Sequence, residues 1–412
     1  MGRKNTAVFI IFILLATILT GFYAETQYLP QLKESSYVKE VNSLFDKVQS
    51  DVSRLRGFPA PNGVKVEVVS IEFFKSEATQ ASGENPILKA QEALYKGLLV
   101  VPENFSLIEK KVNEAGMTLS ATSGKTLYIV REYFDPNDRK SALRTLAHEY
   151  THILQYVYLE QRAPKTQDEL LAWNAFIEGE ADLVADLYIS NVTGDPFSYR
   201  IPPTPMTMPK VAGGGGWALD QTFSFPYSYG ENFVYELYKK GGWDEVNKAY
   251  HHVPTSTAQI LDIDEYLGGL EPISFLNPKP LNNQWSIYYQ DSLGEYFMRT
   301  MLLENLEPNL AVNSTSGWVG DNLTLYLNEK AYFILWGSMW RDKNSASNFG
   351  KALLAFLQHK GCVEMNGTVW DLGGRLFVVE CVGKTVMLIC SSDLGVLTQE
   401  VNSKFNEFNS SS

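Results

Sequence analysis

Cysteine is scarce in this chain of 412 residues, and the three cysteines, Cys362, Cys381 and Cys390, all lie near the C-terminus. Their spacing matches no metal-site pattern, which excludes a metal centre built from cysteine. Two interpretations remain open: one disulfide with a leftover thiol, which requires an oxidising compartment, or buried free thiols.

Positive charge is also in short supply. The 35 Lys and Arg residues face 47 Asp and Glu residues, which gives a net charge of −12, and no basic cluster offsets this balance locally. Nucleic acid is therefore not expected as a partner. The chain has 45% hydrophobic and 20% charged residues and shows no internal repeats. This composition is typical of a globular protein and excludes collagen-like, coiled-coil and wholly disordered chains.

The chain has one long hydrophobic run, at its N-terminus. Arg3 and Lys4 precede an uncharged and largely apolar stretch, 7–23. This order is typical of an export signal, and the stretch is nearly long enough to span a bilayer. Residues 1–24 are therefore predicted to be a signal peptide or an uncleaved membrane anchor, with a buried core helix as the weaker alternative. Membrane contact is expected through this segment only.

Six glycosylation sequons occur outside this segment. They begin at Asn104, Asn191, Asn313, Asn322, Asn366 and Asn409. Such triplets can accept glycans in an exported protein, although Asn-rich chains also produce them by chance. Together with the N-terminal run, they predict a glycoprotein that is extracellular or located at the cell surface.

Hydrophobic periodicity along the rest of the chain predicts an α+β fold. Residues 36–56, 141–160 and 167–189 show the spacing of helices. Residues 64–74 alternate like a strand, and Thr126–Val130 is a short β-rich run. Because Thr126–Val130 comes shortly before the second of these helices, we expect it to be an edge strand to which an extended peptide can add.

Proline-rich and glycine-rich segments divide the chain. Residues 193–223 contain a run of four glycines and are predicted to be a flap or surface loop, since no Lys-Ser/Thr pair follows to make a phosphate loop. The Pro/Asn-rich stretch 275–283 is predicted to be a domain boundary. Beyond it, a β-rich run covers 368–390.

A His-Glu-x-x-His motif, formed by His148, Glu149 and His152, lies on the helix predicted over 141–160. Residues four apart share a helix face, so both imidazoles can bind one metal ion, and Glu149, rotated by about 100°, lies beside that ion. Zinc with three protein ligands keeps a position for water, and a nearby carboxylate can accept the water's proton. Both histidines fall opposite the apolar stripe of the helix, which favours a cleft. A surface pair of histidines is the alternative.

The third ligand is predicted on the following helix. Glu178, Asp182 and Asp186 share the face opposite the apolar stripe, where three stacked carboxylates repel one another unless a cation or solvent relieves them. We expect Glu178 to bind the metal and Asp182 to hold the far nitrogen of a histidine. Glu180 falls within the apolar stripe, so we expect it to be buried with its own hydrogen-bond partner. A solvated acidic face is the alternative.

The motif HEYTH followed by a helix with Glu178 and Asp182 resembles the gluzincin metallopeptidases, the thermolysin-like class. The resemblance implies that His148, His152 and Glu178 bind zinc, that Glu149 is the general base, and that Asp182 orients the first histidine. Similarity to an uncharacterised group of exported prokaryotic HExxH proteins extends over longer runs, among them TLAHEYTHILQ, IEGEADLV and GENFVYELYKKGGWDEVNKAY.

The resemblance implies a zincin-like catalytic domain over 30–275, followed by a smaller α+β module of unknown role over 285–412. We expect a zinc-dependent hydrolase, an exported or surface-anchored metalloendopeptidase that acts on a peptide or protein substrate. Two alternatives stay open: a metallohydrolase with another substrate, and a non-catalytic cell-surface binding protein whose zinc site is structural or lapsed. Thermolysin-like enzymes also place a downstream histidine and a tyrosine near the oxyanion. Tyr229, His251 and His252 are available in this chain, but none lies in a matching motif.

Overall fold

The predicted α+β fold is confirmed by the computed structural model. The structure describes residues 36–82, 85–203, 216–274, 279–281, 284–329, 331–365 and 367–400. The predicted signal peptide or anchor, 1–24, lies outside the described residues. Among the helices that are described, none combines the length and the apolar character needed to cross a membrane.

The N-terminal part is mainly helical, with one small sheet. Its elements are α1 Ser36–Arg56, β1 Lys65–Val69, α2 Ile71–Ser82, α3 Pro86–Gly97, α4 Leu107–Ala115, β2 Ser120–Ser123, β3 Thr126–Val130, α5 Arg139–Tyr158, α6 Gln167–Thr193, α7 Trp217–Ala249, α8 Thr257–Leu261 and α9 Ile263–Leu267. The prediction of a strand over 64–74 is wrong in its second half, because α2 begins at Ile71. The loop predicted over 193–223 is wrong at its end, because α7 begins at Trp217.

The C-terminal part is built on a seven-stranded antiparallel sheet of order β4-β5-β6-β10-β9-β8-β7. Its elements are β4 Ser286–Asp291, α10 Gly294–Leu303, α11 Pro308–Thr315, β5 Trp318–Leu327, β6 Tyr332–Trp340, α12 Lys343–His359, β7 Val363–Glu364, β8 Val369–Leu372, β9 Arg375–Val382 and β10 Thr385–Ser391. The predicted β-rich run 368–390 supplies three of these strands. The cysteines are free thiols: Cys362 and Cys390 are buried, whereas Cys381 is exposed.

The small sheet has the strand order β1-β3-β2, with β1 parallel to β3 and β2 antiparallel to it. The prediction that Thr126–Val130 forms an edge strand is therefore wrong, because β3 is the central strand. The physical reason is composition: Leu127 and Ile129 are completely buried, whereas the neighbouring Ser120–Ser123 consists of small and polar side chains that are only half-buried. The edge strand next to the motif helix is β2.

The motif helix α5 is fixed by its apolar stripe. Leu146, Tyr150 and Ile153 are completely buried and share a cluster with Val41 and Phe45 of α1. The helix starts at a capping contact in which Asp138 accepts from the main-chain N of Ser141 (3.3 Å). Burial of this stripe determines which face of α5 is left for the motif histidines.

Helices α6 and α7 cross in backbone contact. A Cβ atom at Gly179 would lie 2.1 Å from the carbonyl carbon of Gly230, and a Cβ at Gly230 would lie 2.1 Å from the carbonyl oxygen of Ala175. Only glycine fits at either position, because any side chain would push the helices apart. Since Gly179 directly follows Glu178, the crossing also sets the distance from α7 to the predicted metal ligand.

Buried carboxylates anchor the start of α6 to the elements that follow it. Asp168 Oδ1 accepts from the main-chain N (2.9 Å) and the hydroxyl (2.6 Å) of Thr257. Asp291 Oδ1, at the end of β4, accepts from the main-chain N of Gln167 (2.7 Å). Burial raises the pKa of Asp168 to about 8 and the pKa of Asp291 to about 7. The position of α6 thus depends on residues more than 80 positions away along the chain.

One continuous core joins the two parts of the chain. The buried side chains of Phe176 and Phe233 belong to the same cluster as Phe297 of α10. The cluster also contains buried residues of β5, β6 and α12. The division into domains at 30–275 and 285–412 stays a prediction.

The glycine crossing gives a direct test. Gly179→Ala should lower the free energy of unfolding by about 1–3 kcal/mol, because the added methyl group overlaps the backbone of α7. The matched control is Gly350→Ala within α12, where the new Cβ would lie at an ordinary 3.5 Å from Cys381. The free energy of unfolding of this control variant should rise by up to about 1 kcal/mol, because alanine has a higher helix propensity than glycine. Denaturant unfolding measures both variants, and equal effects would show that the crossing is not constrained.

Candidate metal centre

The side chains of His148, His152 and Glu178 converge between α5 and α6 and could hold a metal ion. The Nε2 atoms of the two histidines lie 3.2 Å apart. Glu178 Oε2 lies 3.2 Å from His148 Nε2 and 3.5 Å from His152 Nε2. The imidazoles are 14% and 16% exposed and the carboxylate only 4%, so the three side chains are largely shielded from solvent.

The spacing of these atoms fits the radius of a bound metal ion. Tetrahedral zinc with bonds of about 2.0–2.1 Å separates two of its ligand atoms by about 3.3 Å. The three separations in the structure, 3.2, 3.2 and 3.5 Å, lie close to that value. Two imidazoles and a carboxylate also suit other divalent ions, so the geometry identifies a candidate metal centre without selecting zinc.

The second nitrogen of each imidazole has a hydrogen-bond partner. His148 Nδ1 lies 3.1 Å from Asp182 Oδ1, and His152 Nδ1 lies 2.8 Å from Gln155 Oε1. An oxygen that accepts from Nδ1–H keeps the proton there, which leaves the Nε2 lone pair for a metal ion. Asp182 lies in the position predicted from the sequence. Gln155 was not predicted, and its only signal in the sequence is a polar residue beside the apolar residues of α5.

The electrostatics of the site favour positive charge between the three side chains. Burial opposes the charged form of His148, but hydrogen bonds to Asp182 and Glu178 outweigh it and raise the pKa of His148 well above its ordinary value. Burial alone would raise the pKa of Glu178, yet the charge of His152 and the hydrogen bonds from both histidines lower it. Protons or a metal ion can supply this positive charge.

Arg144 neutralises the remaining carboxylates on this face of α6. It donates from Nη2 to Asp182 Oδ1 (3.0 Å) and from Nε to Asp186 Oδ1 (2.6 Å). A solvated acidic face does not describe Glu178 and Asp182, since their side chains are 4% exposed. The cation that relieves the repulsion between Asp182 and Asp186 is thus a guanidinium from the preceding helix.

Glu149 is held by the edge strand β2. Ser120 Oγ donates to Glu149 Oε1 (2.8 Å), and Thr122 Oγ1 donates to Glu149 Oε2 (2.7 Å). These two residues point to the same side of β2 because strand side chains alternate. Burial lowers the pKa of His152, but the charge of Glu178 and its hydrogen bond outweigh burial and raise the pKa, and the charge of Glu149 adds to this effect.

Glu180 faces away from the candidate metal centre and is completely buried. Its carboxylate accepts from Arg56 Nε and from the hydroxyl of Tyr250, and it also accepts from Gln155 Nε2 (3.0 Å). The guanidinium of Arg56 is itself buried at the end of α1. Glu178 and Glu180 therefore serve opposite sides of α6, as their separation of about 200° on a helix requires.

Tyr227, on α7, also borders the site, and no motif in the sequence indicates it. The negative charge of Glu178 raises the pKa of Tyr227 well above its ordinary value, and the residue is 44% exposed. Tyr227 lies one turn before Gly230 in α7. The crossing of α6 and α7 that brings it close to Glu178 is a long-range contact, and no local pattern in the sequence indicates it. Tyr229 instead donates to the carbonyl of Pro203 (3.0 Å), and His251 is exposed.

Comparison with known proteins gives one match, outside the site. Residues 286–399 match the family described as Domain of unknown function (DUF8575). No curated protein and no solved structure matches the chain. The match begins with β4 and covers the seven-stranded sheet, so it includes none of the residues of the candidate metal centre.

Substitutions of Glu178 and Glu180 are predicted to have opposite effects on metal binding. Glu178→Ala should abolish stoichiometric zinc binding, because it removes one of three converging ligand atoms. Glu180→Ala should keep the metal and lower the free energy of unfolding by about 3–5 kcal/mol, because Arg56 is left buried without its carboxylate. Zinc content of the folded protein and denaturant unfolding measure both effects. Metal lost from the Glu180 variant and kept in the Glu178 variant would reverse the assignment.

Proposed function

We propose that the protein is a zinc-dependent metalloendopeptidase, exported or anchored at the cell surface, with a zincin-like catalytic domain. The main support for this proposal is that two histidines and one glutamate converge at distances that fit a metal ion. The adjacent carboxylate of Glu149 is held in place by hydrogen bonds. His148, His152 and Glu178 would hold the zinc ion, and Asp182 would hold the imidazole of His148 in place. Zinc supplies Lewis acidity, which makes water a nucleophile at neutral pH.

Glu149 is the proposed general base. A carboxylate offers about four lone-pair sites, and the hydroxyls of Ser120 and Thr122 use two of them. One lone pair on each oxygen therefore stays available to accept a proton from the attacking water. The two hydroxyl contacts hold the carboxylate in one orientation, so little entropy is lost when the proton moves.

The edge strand β2 is the proposed binding element for an extended substrate. It pairs with β3 on one side and with no other strand of the described chain on its second side. An extended peptide can add to such an edge through main-chain hydrogen bonds. Because Ser120 and Thr122 also contact Glu149, a peptide on this edge would run past the proposed base. This arrangement supports a peptide rather than another hydrolysable substrate.

A non-catalytic binding protein with a structural zinc site is the second candidate. A structural site normally has four protein ligands and needs no base. In the part of the chain that the structure describes, three ligands converge instead, and Glu149 is held on the helix that carries two of them. Both features favour hydrolysis.

Glu149→Gln tests the proposed base. The amide keeps the shape but cannot accept the proton, so hydrolysis should fall by about 10²–10⁴-fold while zinc stays bound. Zinc content and turnover of an unbiased peptide library are the two measurements. Glu160→Gln is the control, because the Glu160 side chain lies just after α5 and is 70% exposed. The activity of this control variant should equal that of the wild type. Near wild-type turnover in the Glu149 variant would exclude it as the base.

The wild-type protein in the same assay tests the metallopeptidase against the other function classes. Zinc with peptide hydrolysis supports the metallopeptidase. Zinc without peptide hydrolysis excludes it and leaves a metallohydrolase acting on another substrate or a binding protein with a structural zinc site, and absence of both favours a binding protein whose site has lapsed.

Export is tested on intact cells. The order of Arg3 and Lys4 before the apolar run predicts that the proposed catalytic part lies outside the membrane. External protease should therefore degrade the protein while a cytoplasmic marker stays intact. Asn191 and Asn313 are exposed, so glycans on either would give the same answer. Full-length protein found only in the soluble cytoplasm would contradict the export proposal.

A further inference from the structure

Gln155 lies one turn after His152 on α5, and its side chain is buried. Its Oε1 lies 2.8 Å from His152 Nδ1. Its Nε2 donates to the main-chain carbonyl of Ile177 (2.9 Å) and to Glu180 Oε2 (3.0 Å). Both ends of the amide are therefore engaged, one with a proposed metal ligand and the other with the buried side of α6.

The contacts of Nε2 decide which way round the amide lies. A carbonyl and a carboxylate only accept hydrogen bonds, so the NH₂ group must face Ile177 and Glu180. The amide oxygen then faces His152, and it can only accept. The proton of the neutral imidazole must therefore sit on Nδ1, and the lone pair must sit on Nε2. Nε2 is the atom that lies 3.2 Å from His148 Nε2.

The acceptor that orients Gln155 is itself fixed. Glu180 accepts from Arg56 Nε and from the hydroxyl of Tyr250. The guanidinium of Arg56 lies 4.7 Å from the ring centre of Phe58 and 4.5 Å from that of Trp243. A planar cation between two rings, bound to a buried carboxylate, has little freedom to rotate.

We propose that Gln155 is a positioning residue that sets the tautomer and ring orientation of His152, through a hydrogen-bond chain that starts at Arg56 and Glu180. The inference rests on the proposed metal centre. The two histidines then differ in a defined way: His148 is held by a carboxylate that Arg144 neutralises, and His152 by a neutral amide oriented from the opposite side of α6.

Gln155→Met tests this inference, because methionine fills a similar volume but accepts no strong hydrogen bond from Nδ1. The zinc Kd of the full chain, from chelator competition, should rise about 10–100-fold. In the zinc-free protein at alkaline pH, ¹⁵N chemical shifts of the His152 ring should lose their bias toward the Nδ1–H form. Gln161→Met is the control: this amide donates only to main-chain carbonyls, so both readouts should match the wild type.

Gln155→Glu is the second variant, should the methionine variant fail to fold. Its carboxyl group can keep a proton that it donates to Glu180, while its other oxygen accepts from Nδ1. The Nδ1–H form should therefore persist and the zinc Kd should stay within about 10-fold of the wild type, and loss of the Nδ1–H form in this variant would overturn the inference. Wild-type Kd and an unchanged tautomer in Gln155→Met would overturn the inference. Neither readout depends on hydrolysis, so a wild-type protein that binds zinc without cleaving peptides would end the proposed function alone. A wild-type protein that binds no zinc would overturn both.

Discussion

The contact between the backbones of Gly179 and Gly230 is the constraint on which the site depends most. It brings α6 and α7 into backbone contact, and the residues on either side of Gly179 point to opposite sides of α6. Glu178 precedes the contact and faces the histidines, and Glu180 follows it and faces α1. Tyr227, which precedes Gly230 on α7, lies near Glu178, whereas the hydroxyl of Tyr250, directly after α7, donates to Glu180.

Compensation of charge follows from this arrangement. The segment 178–186 of α6 carries four acidic residues, yet each has an assigned partner. Glu178 is paired with the two histidines, and Asp182 is paired with His148 and Arg144. Asp186 is paired with Arg144, and Glu180 is paired with Arg56. Because the guanidinium groups approach from α5 and α1, the acidic helix is neutralised from two sides, and the position between the histidines is left for a metal ion.

Local periodicity explains what could be predicted. The shared face of His148 and His152, the choice of Glu178, and the burial of Glu180 all follow from positions within one helix. The partners of Glu180 could not be predicted, because Arg56 lies 124 residues away. The same holds for the central position of β3, which depends on parallel pairing with β1, and for most of the seven-stranded sheet. The spacing of apolar residues indicates which face of a helix or strand is buried. Tertiary packing determines which other element covers that face.

The two kinds of contact around α6 also differ in when they can form. His148 and Asp182 are 34 residues apart, and a helical hairpin of α5 and α6 is enough to join them. The pair of Arg56 and Glu180 closes a loop of 124 residues, and loop closure of that length costs more entropy and slows folding. A folding chain can therefore assemble the metal-binding side chains before the buried arginine arrives. Metal binding at the proposed centre would then precede the final alignment of His152, and a metal ion present during folding would act as a template for that centre.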